Sequence, residues 1–214
     1  MTKIGVLGLQ GSFAEHMAAI EKCGAQAIDI RNSRQLADID GLIIPGGEST
    51  AIAKLTGDNP DPIFDTIKKL VGQGLPVYGT CMGSIFLAKE IEGSQQGRLA
   101  CMDIKVRRNA FGPQRNSFET SIKIDSLGLE PFPAVFIRAP IMVSVGPEVE
   151  VLAKVEEGIV MARQKNLLVT AFHPEITDDL RVHRYFLSIV ESQKDLRGAG
   201  RQVGFDTVVD CHPV

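Results

Sequence analysis

No run in this 214-residue sequence stays apolar for long enough to cross a bilayer, and none reads as a signal peptide. An excess of one charge is also missing: 23 Lys and Arg stand against 26 Asp and Glu, for a formal net charge of −3. The basic residues are scattered apart from the pair Arg107 and Arg108, so neither nucleic acid nor a membrane is expected as a partner. Repeats, low-complexity tracts and Pro/Gly/Ser-rich linkers are absent, and the length fits one domain with a substantial core. The four cysteines, Cys23, Cys81, Cys101 and Cys211, follow neither a metal-ligand spacing nor a disulfide framework. A reducing, cytoplasmic setting is the simplest expectation.

What the sequence does contain is Val-Tyr-Gly-Thr-Cys-Met-Gly at residues 77–83, a short apolar strand that runs into a tight turn with Cys81 at its apex. Helix-compatible sequence follows over residues 84–90. This is the outline of a nucleophile elbow, with Gly79 and Gly83 leaving room for the turn and the helix start favouring a thiolate. Cysteine is also among the most buried residue types, so an inert core thiol is the alternative. A thiolate needs a proton acceptor, and there are four histidines: His16, His173, His183 and His212. Residues 167–175 form a second apolar strand ending in His173-Pro174-Glu175. Proline biases the residue before it toward extended backbone, where residues two apart project from the same side. Glu175 is then placed to orient the imidazole, the third role in a catalytic triad; a surface turn capping the next helix is the plainer alternative.

Both motifs stand at the C-terminal ends of strands, where open α/β sheets build their sites. The rest of the chain alternates in the same way. Residues 3–9 are an apolar run, followed by Ser12 and Glu15 in capping-box spacing for a helix ending near Cys23. Strand-like runs at 27–30 and 41–44 interleave with helix-like segments at 49–55 and 62–73. After Ile104 come short β-type runs at 104–107, 117–124, 135–137, 150–155 and 159–162, then 167–172 and a closing helix at 179–192. The expectation is a three-layer α/β fold, flavodoxin-like: a mainly parallel central sheet with helices on both faces and extra antiparallel strands. One domain is expected over residues 1–194, with 195–214 a tail of unassigned role. The Pro45-Gly46-Gly47-Glu48-Ser49-Thr50 segment is another strand running into a glycine turn. It reads either as backbone amides turned into a cleft or as a plain turn in which Ser49 caps a helix.

Taken together, GVLGLQG at 5–11 with Glu15-His16, PGGEST at 45–50, GTCMG at 79–83, RNAFG at 108–112, NSFE at 116–119, FIRAP at 136–140 and FHPE at 172–175 resemble the class I glutamine amidotransferase superfamily. More narrowly, they resemble the PdxT family, the glutaminase subunits of pyridoxal 5′-phosphate synthase. The resemblance runs in order from residue 5 to about 190. It implies hydrolysis of the L-glutamine side-chain amide and delivery of ammonia to a separate PdxS-type synthase subunit in a hetero-oligomer. By the same resemblance Cys81 is the nucleophile and His173 and Glu175 complete the triad. Gly47, Glu48, Ser49, Arg108, Ile137 and Arg138 bind glutamine, the backbone of Gly47 and Met82 forms the oxyanion hole, and Gln10 and Gly11 couple to the synthase. No metal or organic cofactor is implied, pyridoxal phosphate being the product of the whole complex. Two departures from the family pattern are Met82, where alanine commonly follows the cysteine, and Pro113, where an arginine often stands. A scaffold that keeps the fold without the activity is the non-enzymatic alternative.

Overall fold

The computed structural model describes residues 1–47, 61–112 and 116–202. The expected helix at 49–55 lies outside them. In chain order the strands are β1 (Lys3–Leu7), β2 (Gln26–Ile30), β3 (Gly41–Ile44), β4 (Val77–Thr80), β5 (Ala88–Ile91), β6 (Met102–Arg107), β7 (Ser117–Ile122), β8 (Phe132–Ile137), β9 (Ile141–Val145), β10 (Glu150–Val155), β11 (Gly158–Gln164) and β12 (Leu167–Thr170). The α-helices are α1 (Phe13–Lys22), α2 (Ile63–Gly72), α3 (Met82–Leu87) and α4 (Arg181–Gln202).

The sheet order is β2-β1-β3-β4-β12-β11-β9-β6-β5, with β10 added beside β11. From β2 to β12 the neighbours are parallel, whereas β11, β9 and β6 each run antiparallel to the strand before them. Strands β7 and β8 pair separately as an antiparallel ribbon. Period-two alternation explains the layers, because successive side chains on a strand face opposite sides. Ile4, Val6, Ile43, Tyr78 and Leu168 enter one core with Ile20 of α1 and Val182, Phe186 and Val190 of α4. Leu7, Leu42, Ile44, Val77 and Val169 enter the other, with Ile63, Phe64 and Ile67 of α2 and Met82, Ile85 and Phe86 of α3. A sheet buried on both faces needs continuous apolar strands, and β3, β4 and β12 are buried at every position. Each large aliphatic or aromatic side chain so enclosed contributes about 1.5–3 kcal/mol.

The three-layer α/β expectation is met, with local differences. Helix-compatible sequence at 84–90 is cut short: α3 stops at Leu87 and Ala88–Ile91 is an edge strand beside β6. Strand β9, Ile141–Val145, carries no strand expectation; the preceding Ala139-Pro140 masks its start. The closing helix runs on to Gln202, ten residues past the expected end at 192. Ser12 does not cap α1 with its side chain, although the capping-box spacing is present. Its hydroxyl is engaged elsewhere, as the site shows.

Candidate active site

Four loops leave the C-terminal ends of the adjacent parallel strands β1, β3, β4 and β12, the edge where such sheets place their sites. They carry Gln10 to Ser12, Pro45 to Gly47, Cys81 and His173. Cys81 follows β4 with φ +46° and ψ −104°, a left-handed backbone that a cysteine adopts only when its surroundings impose it. The surroundings are close. A Cβ on Gly79 would stand 2.6 Å from the Gly83 carbonyl, and one on Gly83 would stand 2.1 Å from the Ile44 oxygen. Only glycine at both positions lets β4, α3 and β3 approach closely enough to form this turn. The Cys81 amide donates to the Thr170 carbonyl at 2.7 Å, and the Ser84 hydroxyl and amide close onto the Cys81 carbonyl at 2.6 and 3.1 Å.

His173 leaves β12 with φ −107° and ψ 85°, and Pro174–Ile176 forms a 3₁₀ turn. The side-by-side placement of His173 and Glu175 therefore comes from this turn and not from continuous extended chain. Nδ1 of His173 is 2.8 Å from Oε1 of Glu175, and both residues are 7% exposed. Oε1 also accepts from the Ser12 hydroxyl at 2.5 Å. Burial alone raises the Glu175 carboxyl, but the charged His173 ring and the hydrogen bonds from His173 and Ser12 outweigh it and hold the carboxyl below the usual carboxylate range. For His173 burial likewise opposes charge. Hydrogen bonding to the Cys81 sulfur and to Glu175, with the field of both, overcomes it and raises the ring to about 10. At neutral pH the arrangement is thus a charged imidazole between a sulfur and a carboxylate.

A cleft of about 240 Å³ opens over this line, walled by Gly47, Cys81, Met82, Ile85, Arg108, Asn109, Ile137, Arg138 and His173. The structure brings Gly47, Met82, Arg108, Ile137 and Arg138 to one cavity with Cys81 and His173, and sets Glu175 behind the imidazole. Arg108 Nη1 donates to Gln96 Oε1 at 3.0 Å, and Arg138 holds φ +44° with its amide on the Asn116 carbonyl at 2.6 Å. Gln10 and Gly11 lie under the glycine turn: a Cβ on Gly47 would meet the Gln10 amide at 2.5 Å, and one on Gly11 would meet the Gly46 oxygen at 1.7 Å. Glu48 and Ser49 lie outside the described residues, as do Pro113, Cys211 and His212. Among the described residues no helix is long and apolar enough to cross a membrane.

Sequence reasoning overlooked several members of the site. Ser12 was assigned to a helix cap. His16 stands in the Glu15-His16 motif with no role implied, although its buried ring lies 3.3 Å from Glu175 Oε2 and 3.1 Å from the Thr80 hydroxyl. The available signal is the spacing of His16 from Ala19 and Ile20, which puts it on the buried face of α1. Gly46 was read as a turn residue, yet a Cβ there would press on both His173 and Cys81.

Comparison with known proteins agrees with this architecture. The pattern of the SNO glutamine amidotransferase family matches residues 6–192. The pyridoxal 5′-phosphate synthase subunit PdxT of Carboxydothermus hydrogenoformans is 56% identical over 188 residues, 88% of this chain and 97% of that protein. The PdxT subunit of Desulforudis audaxviator is 53% identical over 191 residues, 89% and 100% of the two chains. A crystal structure of a glutamine amidotransferase superposes with TM-score 0.82 at 45% identity, covering 88% of this chain and 98% of that one. The PurLQS structure from Thermotoga maritima shares the fold at 15% identity, with TM-score 0.63 over 87% of this chain and 98% of its own. With the family pattern spanning nearly the whole described chain and PdxT relatives above half identity, this chain belongs to the SNO glutamine amidotransferase family.

Proposed function

We propose that this chain is the glutaminase subunit of a pyridoxal 5′-phosphate synthase, hydrolysing L-glutamine to L-glutamate and ammonia through Cys81, His173 and Glu175. The observation that carries the reading is the buried line of imidazole and carboxylate ending at a cysteine on a strained elbow, opening into a cleft flanked by two arginines. The PdxT names of the relatives supply the product pathway and the partner.

In this reading the Cys81 thiolate attacks the glutamine δ-carbonyl, and backbone amides of Gly47 and Met82 take up the charge of the tetrahedral oxyanion. His173, held charged, gives its proton to the amide nitrogen as the C–N bond breaks, and ammonia leaves a thioester on the sulfur. The now neutral imidazole removes a proton from water, which attacks the thioester and releases glutamate and the thiolate. Glu175 stays ionised throughout; its role is to hold the ring and stabilise the imidazolium. Glutamine brings a carboxylate and an ammonium, and Arg108 and Arg138 offer planar donors for the former. Glu48 and Ser49, with Ile137, complete the glutamine contacts. No step calls for a metal or cofactor.

Ammonia is to be consumed by a PdxS-type synthase subunit in the cytoplasm. Gln10 and Gly11 lie against Gly46 and Gly47, so a partner docking at the start of α1 would act on the oxyanion turn directly. The test is glutamate release by the isolated subunit and after mixing with the cognate synthase subunit. Low activity alone and a large rise on mixing is expected; full activity in isolation would favour an independent amidase.

A further inference from the structure

Behind the triad lies a second set of titratable groups that the proposed chemistry does not use. His16 of α1 and His183 of α4 are both completely buried. His16 Nδ1 is 3.0 Å from His183 Nε2, and His16 Nε2 is 3.1 Å from Thr80 Oγ1 at the end of β4. The same Nε2 is 3.3 Å from Glu175 Oε2 but is not aligned for a hydrogen bond, and Oε2 has no hydrogen-bond partner among the described residues. Thr80 Oγ1 in turn accepts the Gly46 amide at 2.9 Å. The edge of the Tyr78 ring closes the cluster beside both imidazoles.

The carboxylate decides the tautomers. If His16 Nε2 lacked a proton, its lone pair would face an ionised, buried Oε2, and the proton on Nδ1 would have to go to His183 Nε2. His183 Nδ1 would then carry a buried proton with no acceptor. The opposite assignment has His183 Nε2–H donating to His16 Nδ1 and His16 Nε2–H directed at Thr80 and Oε2. It leaves an unused acceptor on His183 in place of a stranded N–H, and it turns an N–H dipole, not a lone pair, toward the ionised Oε2. Burial keeps both rings neutral: it lowers His16, with the Glu175, His173 and Glu15 charges acting in smaller measure, and it takes His183 to about 3, with His16 and Glu175 as minor influences.

Resting on the glutaminase reading, we propose that the neutral His183–His16 pair is a positioning device for the reaction. It holds the Thr80 hydroxyl and through it the Gly46 backbone, and it sets an N–H dipole beside the far oxygen of Glu175, so that one side chain faces both the oxyanion turn and the triad carboxylate. His16 touches no substrate-facing surface of the cleft; it acts through Glu175 and Thr80. Two distances carry the argument: 3.3 Å to the carboxylate that orients His173, and 3.1 Å to the hydroxyl that holds Gly46.

The test uses the full chain with its cognate synthase subunit. His16→Leu keeps an apolar filler but removes the donor, and it is expected to lower kcat by roughly 10–100-fold, the cost usual for a group that orients a reacting one, with KM for glutamine unchanged. His16→Gln, which can place an amide N–H near Nε2, should recover part of that loss. Unchanged kcat in His16→Leu, a loss expressed mainly in KM, or no recovery in His16→Gln would overturn the proposal. Should His16→Leu fail to fold, nitrogen-15 histidine spectra of the unaltered protein decide instead: both rings should be neutral Nε2–H tautomers at pH 7 to 8. A protonated His16, or one with its proton on Nδ1, would refute the arrangement. An unaltered protein that releases no glutamate would overturn the glutaminase reading, whereas the spectra test the pair independently of activity.

Discussion

Replacing Gly46 by alanine should disable the site without unfolding the protein. A Cβ built at Gly46 falls 2.4 Å from His173 Cε1, 3.1 Å from Nδ1 and 3.3 Å from the Cys81 Cβ. Ordinary contact begins near 3.4 Å, so the ring must retreat by about 1 Å. It has little freedom to do so, because Nδ1 is tied to Glu175 at 2.8 Å and Glu175 is itself fixed by Ser12. The alternative, movement of Gly46 away from the ring, breaks the hydrogen bond its N–H donates to Thr80 and pushes its carbonyl against Gly11. A misplacement of this size at reacting groups costs on the order of 10²-fold in rate. The expected result for Gly46→Ala is therefore a kcat lower by about two orders of magnitude with the synthase subunit saturating, and a near-normal unfolding transition. Gly72→Ala is the control: at the end of α2 a Cβ meets nothing within 4 Å. It should keep full activity and be neutral or stabilising by up to about 1 kcal/mol. Gly46→Ala within a few-fold of the parent would show that His173 does not work in the position described.

The parallel half of the fold was legible because burial on both faces demands unbroken apolar strands, and 41–44, 77–80 and 167–170 are such runs. The glycine-flanked cysteine and the His-Pro-Glu step were legible for a related reason: each is a backbone device with a local signature. What escaped was set by tertiary contact. Ser12 and Glu15 have the spacing of a capping box, but the Ser12 hydroxyl donates to the buried carboxylate of Glu175, distant in sequence, and makes no cap bond to the helix amides. Residues 88–90 read as the end of a helix until β6 provides an edge to pair with. His16 and His183 are far apart in the chain and meet only because α1 and α4 pack on the same face of the sheet.

Further expectations are open to direct measurement. Cys81→Ala should abolish glutamate release while still binding the synthase subunit, and a glutamine-analogue electrophile should label the unaltered protein once; labelling at Cys23 or Cys101 would show that the wrong thiol was chosen. His173→Ala should approach the loss of Cys81→Ala, with Glu175→Gln less damaged and the double variant little worse than His173→Ala, since triad losses do not add; strictly additive losses would contradict a base and its orienting partner. Stability should fall on acidification before most carboxylates titrate, because His183 is held at about 3 and His16 is lowered in the fold, while both charge near 6.5 once unfolded. For a group whose folded pKa is depressed, the stabilisation is complete above the unfolded value and is lost as pH falls toward the folded one, so the window opens near pH 6.5 and extends to about 3 for His183. At pH 5 the unfolded chain gains about 2 kcal/mol from His183, with a contribution of the same sign from His16. Glu175, held below the usual carboxylate range, adds a loss of the same sign only at lower pH. His173, raised to about 10, adds stability over the same interval and partly offsets the loss. Comparing urea midpoints at pH 7.5 and 5.0 between the parent and His183→Gln cancels that gain; a larger drop is expected for the parent, and equal drops in the two would mean that His183 is not neutral in the fold.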